Sequence, residues 1–216
     1  MIKIERTSVA PPSLALKKSY TEKDVIDQLV HDFHNKCYLC EIGPLQSIEV
    51  EHLNPHHGGD RPDLKYDWNN LFLSCPHCNS IKNQSQYDGK IMDCCCIDPE
   101  QYIAQELRGT HVYVSVLVEE YEAKQTAQLI TECFEKTNTG IRVYESQMRL
   151  NALQNTMNIL FKQLDKYRNL HSKNSFRTLR GMLSRSSKFA GFTRTYVRQH
   201  LEEYPEFAPY VNDLHL

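Results

Sequence analysis

Behind a first stretch of twenty residues, with Pro11-Pro12 and few periodic apolar positions, Val25, Ile26, Leu29, Val30 and Phe33 recur at helical spacing. Thr21 and Asp24 open that helix as a capping box, with Asp in place of the usual Glu. Residues 48–52 and 71–73 have the look of short strands, and a helix is expected to begin near Asn79. Together they predict a β-β-α hairpin, with Pro55 and Gly58-Gly59 shaping the loop between the strands. Further on, Asp98-Pro99 is a cap and first-turn pair for a helix through Leu107. Val112, Val114, Val116 and Val118 then alternate as in a strand, and another helix follows through Phe134. The longest helical signal covers 141–167, where Leu150, Leu153, Met157, Leu160, Leu164 and Tyr167 recur at intervals of 3, 4, 3, 4 and 3 residues. That seam reads either as a stripe buried in the protein's own core or as a docking face for another subunit. Two short basic helices, 177–185 and 189–201, follow, and Pro205 and Pro209 close the pattern. The expected fold is α+β and mainly helical: an arm over 1–20, a core over 21–98 holding the hairpin, and a mostly helical extension over 99–216.

A chain of 216 residues buries a substantial core, as one domain or as a small domain with a helical extension. No apolar run is long enough to span a membrane, and the N-terminus lacks the apolar core of a signal peptide, so a cytoplasmic protein is expected. The net charge of −2 by itself names no partner, but its distribution is uneven. Between 162 and 198 stand ten basic residues (Lys162, Lys166, Arg168, Lys173, Arg177, Arg180, Arg185, Lys188, Arg194 and Arg198) against one acid, Asp165. Such a run is either a solvated helical face or a phosphate-contacting surface.

The cysteines carry the first chemical signal. Cys37 with Cys40 and Cys75 with Cys78 are each separated by two residues, which turns both thiolates of a pair onto one ion from a single knuckle. Two such knuckles make a closed, tetrahedral sulfur site suited to structural zinc, with no open position for water. Cys94, Cys95 and Cys96 are adjacent, point in different directions and are read as ordinary thiols. Chemistry must then come from what the zinc holds in place, and Glu51, His52 and Asn79 could converge on one side of the hairpin. Neighbours on a regular strand face opposite ways, so this convergence requires the strand to twist or end at His52.

At these residues the sequence resembles the HNH endonucleases, whose motif is an acid-His pair on the first strand, an Asn after the loop and a second Asn or His on the helix. Glu51-His52, Asn70 and Asn79 match it. Glu51 running to Pro55, Tyr66-Asp67-Trp68-Asn69-Asn70-Leu71, Cys75-Pro76-His77-Cys78-Asn79-Ser80-Ile81-Lys82, the opening Ile4-Glu5-Arg6-Thr7 and the stretch 184–196 look like the PtuB-like HNH proteins of Septu and retron defence systems. The resemblance implies a zinc-supported ββα-metal hairpin and a strand that ends at the histidine. His52, with an ordinary pKa near ~6.5, is then the general base. Glu51 and Asn79 are oxygen ligands for catalytic magnesium or manganese. Asn70 braces the loop that carries the histidine, and His56 and Lys82 are candidate substrate contacts.

The same resemblance implies nucleic-acid phosphodiester hydrolysis, with DNA favoured and transfer RNA the alternative in a retron setting. It also implies partners: a PtuA-like ABC-type ATPase and, in that setting, a reverse transcriptase with its RNA–DNA product. The chain has no Gly-rich Walker loop of its own. A competing reading is a non-catalytic, zinc-supported nucleic-acid-binding adaptor, against which the joint presence of Glu51, His52 and Asn79 argues.

Overall fold

The structure, a computed structural model, describes residues 1–212, and residues 213–216 of the expected extension lie outside them. Helix α1 (Lys23–Asp32) buries Val25 and Leu29, but no side chain caps its start at Glu22. The expected capping box fails because the Asp24 carboxylate turns back to Ser13, accepting from its amide at 3.1 Å and its hydroxyl at 2.6 Å. Strands β1 (Glu49–His52) and β2 (Leu71–Ser74) pair antiparallel with Glu51 opposite Phe72 and His52 opposite Leu71. The loop between them contains the short helix α2 (Pro62–Lys65). Helix α3 (Pro76–Lys82) follows β2 directly. It begins earlier than expected because Pro76, with its fixed φ and no N–H to satisfy, suits the first helical position.

The opening residues belong to the core. Met1, Ile2 and Ile4 are buried, and the Ile4 amide donates to the Cys94 carbonyl at 2.8 Å. The Arg6 guanidinium lies 4.9 Å from the Trp68 ring and 4.8 Å from that of Phe72, and it donates to the carbonyls of Trp68 and Leu71. Thr7 ties its amide and its hydroxyl to the buried Asp32 carboxylate, each at 2.9 Å. Burial pushes the Asp32 carboxyl upward, but hydrogen bonds from His31, Thr7 and Gln28 together outweigh it and hold the group below its usual 3.8.

Beyond the hairpin, the helix expected from Asp98 to Leu107 is a single 3-10 turn, Pro99–Gln101, and the chain then extends. Strand β3 (Ile103–Arg108) pairs antiparallel with β4 (His111–Val116), and the alternating burial of Ile103 and Gln105 shows why a strand wins over a helix. Five α-helices follow among the described residues: α4 (Tyr121–Glu135), α5 (Gly140–Leu170), α6 (Lys173–Met182), α7 (Ala190–Gln199) and α8 (Ala208–Val211). The seam of α5, from Leu150 to Leu164, is buried, and α5 packs on α4, α6 and α7. Among the described residues no helix is long and apolar enough to cross a membrane.

Two buried ionic knots join the ends of the chain to its middle. Glu41 accepts from the Met1 ammonium at 2.8 Å and from the Gly191 amide at 3.1 Å, at the start of α7. A Cβ at Gly191 would overlap Gln105 and the Glu41 carboxylate, so the close approach requires glycine. The second knot corrects the reading of the basic run as one surface. Arg194 donates to both oxygens of the buried Glu100 at 2.9 Å, Arg198 reaches the same carboxylate at 2.6 Å, and Arg185 pairs with Asp98 at 2.7 Å. Three of the ten basic residues therefore face inward.

The four cysteines meet between β2, α3 and the loop after α1. Cys37, Cys40, Cys75 and Cys78 are buried, and their sulfurs all lie within 4.8 Å of one another. This all-sulfur set in a closed, buried pocket fits a zinc ion. Hydrogen bonds from Cys37, Cys40 and Cys78, aided by the Arg149 guanidinium, push Cys75 far below the usual thiol range. Arg149 comes from α5 and donates to the Cys75 sulfur at 3.1 Å.

Purified protein is expected to carry one zinc per chain by elemental analysis. Cys75→Ser should lose it together with the hairpin's fold, since structural zinc in small sites is worth on the order of 10 kcal/mol. A folded, zinc-free variant refutes the assignment. Glu100→Ala leaves buried guanidinium groups without their carboxylate and should cost about 3–5 kcal/mol in urea unfolding. Asp32, with its folded pKa below the unfolded value, stabilises the protein fully above that unfolded value and loses this contribution as pH falls through the folded one. Asp32→Asn should therefore flatten the acid side of the stability curve below roughly pH 4.

Candidate active site

A cleft of about 330 Å³ opens where β1 ends, and Glu51, His52, His56, Asn79 and Lys82 all line it. The problem of two neighbours on one strand is solved by the end of β1 at His52 and by one lysine. From α3, the Lys82 ammonium donates to the carbonyls of His52 and Leu53 at 3.0 Å each and pairs with Glu51 Oε1 at 2.5 Å. An ammonium has three donors, and all three are used inside the protein. Lys82 is 4% exposed, so this structure shows it bracing the site rather than reaching outward.

Glu51 is buried beside it, and its Oε2 accepts from the Tyr38 hydroxyl at 2.7 Å. Burial first, and then the Glu51 carboxylate, pushes the Tyr38 phenol well above its usual range, so it stays a neutral donor. A carboxylate has about four acceptor positions, of which Lys82 and Tyr38 occupy two. Asn79 lines the same cleft from α3 and is half-buried. Glu51 and Asn79 line the same cleft and both offer hard oxygen donors, the kind of ligand that a small divalent cation keeping several waters takes. Among the described residues, only the four cysteines bring three or more His, Cys, Asp or Glu side chains together as a metal cluster.

His52 is the half-buried wall of the cleft. Its Nε2 lies 3.1 Å from the carbonyl of Lys65, at the end of α2. A carbonyl can only accept, so Nε2 carries the proton and Nδ1 of the neutral ring keeps its lone pair, with no partner among the described residues. The imidazole packs edge-on against Tyr20 at 4.7 Å and against His56 at 4.5 Å between ring centroids. Burial lowers its pKa from 6.5 to about 4, opposed by the Lys65 carbonyl and reinforced by the charges of His56 and Lys82.

Asn70 stands behind the histidine. Its Oδ1 accepts from the Asn54 amide at 2.7 Å, and its Nδ2 donates to the carbonyls of Asn54 and Leu64 at 2.9 Å each. One buried side chain thus holds both ends of the loop that brings the Lys65 carbonyl to His52. His56 lies half-buried over His52, and its Nδ1 is buried with no partner.

Tyr20, Tyr38 and the Lys65 carbonyl were not singled out by the sequence. Tyr20 sits in an aperiodic segment far upstream, Tyr38 is hidden inside a cysteine pair, and a backbone carbonyl leaves no signal in residue types. The back of α3 is equally invisible in the motif. His77 is buried there, with Nδ1 2.7 Å from Glu145 and Nε2 3.0 Å from the Cys133 carbonyl. Arg142 from α5 donates to the His77 carbonyl and the Ser80 hydroxyl, so the long helix steadies the short one that carries Asn79.

Compared with known proteins, residues 37–85 match the family model described as HNH endonuclease. No curated protein and no solved structure matches the chain. The matched segment opens at the first cluster cysteine and closes just past Lys82, so the cysteine cluster, both strands of the hairpin and α3 all lie within the stretch that is similar to the HNH endonuclease family.

Proposed function

We propose that this chain is a metal-dependent HNH endonuclease that hydrolyses nucleic-acid phosphodiester bonds, with DNA the favoured substrate. The observation that carries the reading is the state of His52: Nε2–H is fixed on a backbone carbonyl, and Nδ1 is open to the cleft beside Glu51 and Asn79.

His52 Nδ1 takes a proton from a water in the cleft, and the Lys65 carbonyl holds the ring through that transfer and steadies the imidazolium it produces. With its folded pKa near 4, the imidazole is neutral, and so able to accept, throughout the neutral range. Glu51 and Asn79 would hold magnesium or manganese. The bound cation would supply charge neutralisation at the phosphate and at the departing oxygen. Lys82 and Tyr38 fix the Glu51 carboxylate, and Asn70 fixes the loop, so the reacting groups are set before substrate arrives.

The placement of this nuclease in an anti-phage defence complex with a PtuA-like ATPase belongs to the same proposal. It is supported by the motif resemblance.

The test is incubation of the purified protein, with and without a PtuA-like ATPase, with plasmid DNA and with total transfer RNA in magnesium or manganese. His52→Ala should reduce cleavage by roughly 10²–10⁴, the usual contribution of a general base, with zinc content and folding unchanged. Equal cleavage by that variant removes His52 as base. Cleavage of transfer RNA alone transfers the reading to the RNA polymer.

A further inference from the structure

The cleft is poorly equipped to hold a polyanion. Its charged lining includes Glu49, Glu51 and Asp88, and Lys82, the one lysine or arginine there, has its three donors taken inside the protein. A divalent cation would serve the phosphate being cut, but the flanking phosphates of a polymer would meet carboxylates. If the nuclease reading holds, the affinity for substrate has to come from another surface.

The basic run supplies one. With Arg185, Arg194 and Arg198 turned inward, the exposed members on α6 are Lys173, Arg177 and Arg180. They are spaced by four and three residues, which places them on one face of the helix over roughly 10 Å of rise. The other face buries Ser175 and Leu179. Beyond this ridge lies a pocket of about 680 Å³ between α6 and α8, lined among the described residues by Arg177, Arg180, Ser184, Arg185, Arg194 and Tyr210. Arg194 is anchored there on Glu100 and on the carbonyls of Leu183 and Tyr210, and Arg185 on Asp98. Arg177 and Arg180 are exposed at the mouth. Tyr210 is half-buried, its ring 6.0 Å from Phe176 and 6.4 Å from Phe207.

The geometry points to a nucleic-acid exosite at the α6–α8 pocket, in which Arg177 and Arg180 hold backbone phosphates and Tyr210 lies against the adjoining sugar or base. Guanidinium groups present a planar fork that matches phosphate oxygens, and an aromatic ring beside them suits an unpaired nucleotide. A concave pocket of this size fits a nucleotide unit better than a flat lipid surface. The inference rests on the nuclease reading only for its purpose; the binding is measured separately.

Binding is read by fluorescence anisotropy with labelled duplex and single-stranded oligonucleotides, using full-length protein carrying His52→Ala so that nothing is cut. Adding Arg177→Glu and Arg180→Glu should weaken binding on the order of tenfold or more. It should also lower the log–log salt slope by roughly 1.4–1.8, the release expected for two phosphate contacts. A control pair, Lys23→Glu and Lys124→Glu, changes net charge equally on exposed residues elsewhere and should leave both readings in place. In protein with His52 intact, the α6 pair should raise KM for polymer and leave hydrolysis of bis(p-nitrophenyl) phosphate unchanged. Unaltered affinity and salt slope overturn the exosite. So does an equal loss in the control pair, a loss of bis(p-nitrophenyl) phosphate hydrolysis, or a defect confined to phosphatidylserine vesicles. Should the wild-type chain hydrolyse nothing while the α6 pair still loses oligonucleotide, the exosite stands and the nuclease reading falls.

Discussion

Four thiolates around a zinc ion would leave two negative charges uncompensated in the interior, and the surroundings of the cysteine cluster suit that constraint. Charge of this kind is costly to bury unless it is paired. Arg149 provides a partner, 8% exposed and 3.1 Å from the Cys75 sulfur, and it arrives on a helix more than seventy residues further along the chain. The same helix carries Glu145 and Arg142 to His77 and Ser80. The hairpin therefore leans on α5 through these side chains, while the helix's own seam packs on α4, α6 and α7.

A second dependence runs through Lys82. An acid and a histidine adjacent on a strand point apart by the geometry of the pleat. Here the strand stops at the histidine, and one ammonium binds the two carbonyls at that stop and the acid just before it. The lysine thereby shapes the backbone and fixes the Glu51 carboxylate at once. With both partners almost wholly buried, its removal would leave an isolated carboxylate in the interior.

Much of this was legible in residue types and spacing. The paired cysteines place the four-sulfur cluster, and the seam of α5 is the protein's own core; Asn70 is hydrogen-bonded to the Asn54 amide and to the carbonyls of Asn54 and Leu64. What escaped has a common cause: partners that are distant in sequence. Lys82 looks like any helix-end cation until Glu51, from a strand upstream, is seen against it. The arginines near the C-terminus look like one solvated run because Asp98 and Glu100, which neutralise three of them, lie far outside that window. The helix expected after Asp98-Pro99 fails for a similar reason, since the ladder with β4 outcompetes a good local cap. The Asp24 cap is lost to Ser13 by the same kind of competition between a local and a non-local acceptor role.

The histidine's tautomer is set by a main-chain carbonyl, that of Lys65, within a loop whose two ends are tied to Asn70 through main-chain groups. No side chain between Asn54 and Lys65 takes part in those bonds. Loop residues other than His56, whose ring packs on His52, can therefore be exchanged in the course of evolution without disturbing the histidine's tautomer, provided the path of the backbone is kept. A lineage could retune what its loop meets at the mouth of the cleft while keeping that histidine as it is.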